Sequence, residues 1–337
     1  MVKRGLVVWT MTLCCLTGFV RGKAEAVLGI PDEVPAATIV VPLLEAGISS
    51  DHNTLLSITN TCNAPVILHW EVWDVEGLDV GLFNNVQLEE FASLITDFRT
   101  ILQSATEGER TQLTDGSFYH GFLTVDVVTT PTNNPPTDSS YPFASDNCLK
   151  GVIYYVRLAE GAANGISAIH IEGGLSGALD VNVRGFYQSG DNREEIDNHA
   201  RYYAERTTRT LAVVDDPDDS LDFIISRVFL SPALNGSSRI VLWAWSPVNF
   251  PVQGPGDGGR GPFTARHRGE DGETVSTGFL ELRRVVNIIN VSGSENGEIW
   301  IENLPGNFNV YAFSFNSAEG SAAQTWEAMF PSTIVAE

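Results

Sequence analysis

Residues Thr59 to Asp74 read TNTCNAPVILHWEVWD and set a cysteine, a histidine, a glutamate, an aspartate and two tryptophans within sixteen positions. Three chemistries use such residues: nucleophilic catalysis by Cys62 with His69, metal binding by His69 and Glu71, and carbohydrate stacking on Trp70 or Trp73. Spacing argues against the first, because Cys62 and His69 are separated by a turn and half a strand. The rest of the chain offers no serine in G-x-S-x-G; Ser176 in GGLSGAL is followed directly by a glycine. The six histidines (His52, His69, His120, His170, His199, His267) never fall in H-x-H or H-E-x-x-H spacing. His69-x-Glu71 and His170-x-Glu172 place two ligand types on one strand face, a pattern that solvated sheet faces also produce.

Hard-cation chemistry has one candidate. DDPDDSLD supplies Asp215, Asp216, Asp218, Asp219 and Asp222 within a single turn-like segment, and calcium prefers such oxygen-rich clusters. Pro217 and the missing closing glutamate depart from EF-hand spacing, so a solvated acidic turn is the other reading. Glycoside hydrolysis needs two carboxylates about 5–10 Å apart across a groove, and no acid pair is singled out by context.

The elements that position these residues repeat with period two. Val66, Leu68, Trp70 and Val72 point one way, and Ile67, His69, Glu71 and Trp73 the other. Trp70 is thereby assigned to a core, and His69, Glu71 and Trp73 form the candidate contact face. Asn63, Ala64 and Pro65 carry turn chemistry in front of the strand. Comparable runs span Ala37–Gly47, Gly121–Thr129, Gly151–Ala159, Ile166–Gly174, Ala178–Gln188, Asp222–Ser231, Arg239–Val248, Glu281–Val291, Glu298–Leu304 and Asn309–Phe315. Many short strands between Gly, Pro, Asn and Asp turns predict an all-β, antiparallel β-sandwich, immunoglobulin-like or related. VNIINVSGSENGEIWIENL reads as a hairpin. Helix is predicted only over Thr96–Leu102, capped by Thr96 or Asp97, with Glu194–Arg206 open between helix and strand. Thr129–Asn147 and Phe250–Thr274 read as long surface loops.

The N-terminus has the layout of a secretory signal peptide over residues 1–26: Lys3 and Arg4, an apolar run Leu6–Val20, then Ala24-Glu25-Ala26. The remainder reads as one large or two packed β domains, 27–190 and 191–337, with no further membrane span. The chain carries a net charge of −22; loss of Lys3, Arg4, Arg21, Lys23 and Glu25 removes a net +3 and leaves −25. Such a surface repels nucleic acid and anionic lipid. Cys62 and Cys148 are the cysteines that remain after Cys14 and Cys15 leave, and an oxidising compartment favours one disulfide between them.

TIVVPLLEAG, NTLLSITNTCNAPVILHWEVWD, GFLTVDVV and GVIYYVRLAEGAANGISAIHIEGG together resemble a family of secreted bacterial β-rich proteins. Its marks are a V-P-x-x-E first strand, a TNT turn and a W-x-V-W-D strand. The resemblance covers Ala37 to Gly174 most clearly, and again Arg239 to Trp245. It implies an exported β architecture and carries no catalytic signature.

The sequence therefore points to a secreted or envelope-associated structural or adhesive protein, released or cell-attached, that contacts other envelope or extracellular proteins or itself. The alternatives are a carbohydrate-binding module or secreted hydrolase, with calcium as its stabilising ion, and a scaffold that displays its two long loops.

Overall fold

The computed structural model describes residues 35–136, 138, 140–144, 146–157, 162–171, 212–214, 224–228, 237–245, 262–271, 273–281, 284–291, 296–302, 308–318 and 321–327. Within them the fold is all-β, and every strand pairing is antiparallel. The predicted signal peptide, the boundary near 190, the strand over 178–188 and the segment 194–206 lie outside the described residues.

The first half opens with β1 (Thr38–Gly47), β2 (His52–Asn60), β3 (Val66–Trp73), β4 (Asp79–Leu88) and β5 (Ser93–Asp97). Helices α1 (Phe98–Ser104) and α2 (Glu107–Leu113) follow. Then come β6 (Thr114–Asp115), β7 (Phe118–Val128), β8 (Leu149–Arg157), β9 (Ala162–Ser167) and β10 (Ile169–Ile171). One sheet runs β10-β1-β7-β3-β4 with β6 beside β7, and a second runs β5-β2-β8-β9. The two pack face to face, β1 lying over β2 and β8. Gly151 is required for this approach, because a Cβ there would sit 2.9 Å from the Ala168 methyl and 3.0 Å from Ile39.

The second half contributes β11 (Ala212–Val214), β12 (Ile224–Val228), β13 (Ser237–Trp245), β14 (Pro262–Gly269) and β15 (Thr274–Glu281). It closes with β16 (Val286–Val291), β17 (Gly297–Glu302), β18 (Phe308–Ala318) and β19 (Ser321–Glu327). These form sheets β11-β18-β13-β16, with β19 on β18, and β12-β17-β14-β15. A single buried core continues from the first half into the second through Trp73, Phe122, Trp243 and Phe313. Phe122 stacks on Trp73 and meets Trp243 edge-on.

Three expectations are corrected. Ile166–Gly174 is not one strand: the chain leaves the second sheet at buried Ala168, whose N–H bonds Gly151 O, and enters the first as β10. The predicted hairpin is not formed either, since β16 pairs with β13 and β17 with β12 and β14, in different sheets. The supposed loop Phe250–Thr274 contains β14, an interior strand between β15 and β17. Glycine and charge around it hid a strand whose Phe263 and His267 are buried.

Helix α1 starts where the sequence placed it, with Asp97 accepting from the Thr100 N–H. Helix α2 was not anticipated, although Thr106 and Glu109 form a reciprocal capping box.

Cys62 and Cys148 are joined by a disulfide, as expected. They stand where paired strands β2 and β8 end, next to the Asn60–Leu149 pair. The bond thus fixes that register and closes 86 residues of sequence containing β3 to β7. A loop of this length gives a chain-entropy stabilisation of about 4–5 kcal/mol. The double variant Cys62→Ser/Cys148→Ser is expected to lose that amount in urea unfolding, with wild type in reductant matching it.

Candidate functional site

His69, Glu71 and Trp73 do point together, but not to solvent: they are 1, 2 and 2 % exposed. The expectation of an open contact face there is corrected, and the reason is position. β3 is an inner strand between β7 and β4, and its own side chains are buried on both faces. Trp70, with Val66, Leu68 and Val72, faces the core as predicted. The opposite face is closed by Tyr141 and Thr132 from the proline-rich segment and by the Phe122–Trp243 contact. That segment, read as a surface loop, is pinned to the sheet edge by Thr129 N–H to Pro142 O and Ala144 N–H to Val127 O.

The covered face holds a polar chain. Thr38 donates to Asp126 Oδ1 at 2.5 Å and Tyr141 to Oδ2 at 3.0 Å. Asn85 lies 3.2 Å from His69 Nδ1, accepts from the Thr132 N–H and donates to Thr132 O. Phe83 stacks on the His69 ring. The Trp73 indole donates to Thr124, which satisfies its one polar atom. Glu71 Oε2 and His69 Nε2 stand 3.6 Å apart, beyond hydrogen-bond range.

Burial, a hydrogen bond with Asp79, and the charges of Asp79 and Asp126 raise the Glu71 pKa to about 10. Glu71 is therefore a neutral acid at pH 7. Burial also lowers the His69 pKa, against the pull of Asp126 and Asn85. A protonated carboxyl and an uncharged imidazole thus lie side by side beneath Tyr141 and Thr132.

A second polar cluster centres on Glu45 of β1. Arg239 of β13 grips its carboxylate with both terminal nitrogens, at 2.6 and 2.9 Å. His120, its cross-strand partner, approaches at 3.1 Å, and His52 lies 3.8 Å away. The His52, Phe118 and His120 rings form a stack, while Arg239 lies 4.6 Å over Phe315. Burial would raise the Glu45 pKa; the His120 hydrogen bond and Arg239 outweigh it and hold it at about 2. Arg239 is the group of this cluster that joins the halves.

The second sheet differs, because several apolar side chains on its outer face are exposed. Ladder partners Ile95, Ser57 and Val152 form one row across it, and Asp97, Leu55 and Tyr154 the next. Ile95 is 73 % exposed, and Val152 and Tyr154 are exposed as well. Gly165 opposite Tyr154 leaves room for the ring, since a Cβ there would come within 3.1 Å of it. Just before β5, Phe91 is 65 % exposed and held at φ 53°, a left-handed conformation that bulky residues avoid. Sequence reasoning missed these residues. In VIYY the inward and outward side chains are alike, so polarity did not separate the faces.

Among the described residues, no three His, Cys, Asp or Glu side chains are grouped to hold a metal ion. Asp215, Asp216, Asp218, Asp219 and Asp222, the candidate calcium ligands, lie outside the described residues, as does Glu172. No helix among those described is long and apolar enough to cross a membrane.

No family model matches the chain, and no curated protein sequence does. Among solved structures it is similar to the lectin from Pleurotus ostreatus in complex with GalNAc, at 9 % identity and TM-score 0.18, over 90 % of this chain and 79 % of that one. It is similar to the BSP domain of a biofilm associated protein at 13 % identity and TM-score 0.18, over 85 % and 48 %. A putative β-galactosidase from Bacteroides fragilis follows at 8 % identity and TM-score 0.16, over 83 % and 30 %. Scores this low transfer neither fold nor function.

The two buried glutamates titrate with opposite consequences. Glu45, lowered from 4.5 to about 2, contributes stability that is complete above pH 4.5 and lost as pH falls towards 2. The loss is about 3 kcal/mol and is absent in Glu45→Gln, which at pH 7 is already weakened by about 3–5 kcal/mol because Arg239 is left alone. Glu71, raised from 4.5 to about 10, binds its proton only in the folded state, so it costs stability increasingly as pH rises through that window. Glu71→Gln is expected to remove this decline, which in the wild type amounts to about 5 kcal/mol between pH 4.5 and 8. Urea unfolding of the three proteins from pH 2 to 9 checks both slopes.

Proposed function

We propose that this chain is an exported structural or adhesive β protein, of the secreted bacterial kind that its strand motifs resemble, and that it works by protein–protein contact. One observation carries the reading: the outer face of β5-β2-β8-β9 presents Ile95, Val152 and Tyr154 to solvent beside a strained, exposed Phe91. Large contiguous apolar patches on a folded chain mark interaction surfaces, whereas single exposed residues need no explanation. The Cys62–Cys148 disulfide supports an oxidising destination. The burial of both polar clusters, around His69 and Glu71 and around Glu45, supports the outer face as the contact surface among the described residues.

The second reading, a carbohydrate-binding or hydrolytic protein, loses the Trp73 platform, since that indole is buried and bonded to Thr124. What favours it now is Tyr154, an exposed ring on a flat sheet face.

Immobilised mature chain should retain surface proteins of the producing cell, and Ile95→Lys/Tyr154→Lys should lose that retention about tenfold or more. A glycan array separates the readings. Sugar binding abolished by Tyr154→Ala favours the second, and equal protein retention by the double variant removes the first.

A further inference from the structure

Resting on that reading, we propose that the occupant of the outer face of β5-β2-β8-β9 is the same face of a second copy of this chain. The first argument is charge. The chain has 42 acidic against 20 basic residues, a net charge of −22, so two copies repel across most approaches. The outward residues of these four strands carry little of that charge. Ladder register places only one acid among them, Asp97, and one base, Lys150. The face is neutral, with an apolar centre of Leu55, Ile95, Val152 and Tyr154. A basic partner would be drawn to the acidic surfaces instead, and an acidic one would gain nothing here.

The second argument is symmetry. Ser57 pairs with Ile95 on one side and Val152 on the other. Asp97 lies one strand across and two residues along in one direction, opposite Leu55; Lys150 lies one strand across and two residues along in the other, opposite Thr59. A twofold axis in the plane of the interface, passing over Ser57 perpendicular to the line from Asp97 to Lys150, therefore sets Asp97 of each copy against Lys150 of the other. Isologous contacts require such self-complementarity. Asp97 is preset for this, since Asn53 and Thr100 bond its carboxylate and hold its pKa below the usual range.

Area decides the strength. Four strands at about 4.8 Å spacing and about seven residues at 3.3 Å cover about 450 Å² per copy. The pair buries about 900 Å², the size of a weak, reversible association rather than an obligate dimer.

The test is sedimentation of the mature protein from about 1 to 500 μM, at 0.1 and 1 M NaCl, alongside the cell-surface retention assay. A dimer is expected that tightens as salt rises, because screening removes the net repulsion while apolar contact remains. Tyr154→Lys should weaken it about a hundredfold, each change occurring twice across the interface. Lys150→Glu, which faces two carboxylates together, should weaken it most at low salt. Circular dichroism and melting of the variants confirm folding. A chain that stays monomeric at both salts, or a dimer unaffected by Tyr154→Lys, overturns the proposal. If the monomeric protein still retains surface proteins through Tyr154, contact function stands and only self-pairing falls. If neither is seen, both fall.

Discussion

The buried pair between Glu45 and Arg239 is the constraint on which the arrangement of the two halves depends. A carboxylate at 5 % exposure is tolerated only when its charge is met and its oxygens are bonded. Glu45 stands in β1, beside His120 of β7, and the cation comes from β13, 194 residues away. That requirement, together with the Phe122–Trp243 and Tyr155–Phe313 contacts, makes both sheets of the first half and the β13-β18 sheet parts of one core. Arg239 also covers Phe315, so its removal opens packing as well as charge.

The central strands of the first sheet, β1, β3 and β7, are consequently buried on both faces. One side lies on β2 and β8, and the other on Tyr141, Thr132 and Trp243. Residues that in isolation look reactive are converted into structure by this enclosure. Glu71 is kept protonated and His69 neutral, because ions there would lack solvation that the neighbouring Asp126 and Asp79 cannot replace. The second sheet differs: its inner side fills the sandwich, while Ile95, Val152 and Tyr154 of its outer side are exposed and the ladder places one acid and one base among them. In a chain so acidic, a neutral surface is the place where another macromolecule approaches at least electrostatic cost.

The period-two pattern made most central strands legible. β1, β3, β7, β8 and β13 were readable because alternating or continuous apolar runs of five or more residues meet turn chemistry at both ends. The α1 cap at Asp97 and the disulfide were readable for equally local reasons, a capping side chain and a lone cysteine pair. Strands without such runs were not. β4 contains Gly81, Asn84 and Asn85, and β14 lies among glycines and charges, so their pairing comes from neighbours rather than their own propensity. The failed β16–β17 hairpin has the same cause: a polar loop is compatible with a hairpin but does not forbid each strand from joining a different sheet.

The stretch TNTCNAPVILHWEVWD divides the two kinds of information. By itself it determined a strand over Val66–Trp73, a turn at Asn63–Pro65 and Trp70 in a core, because backbone alternation and turn geometry are local properties. Whether His69, Glu71 and Trp73 met water was decided by segments that lie far along the chain, Tyr141 and Trp243 among them. Solvation of a sheet face depends on what packs across it, and packing is a relation between distant residues. The same relation left Ile95, Val152 and Tyr154 uncovered, in strands whose sequences look no different from those buried on both sides.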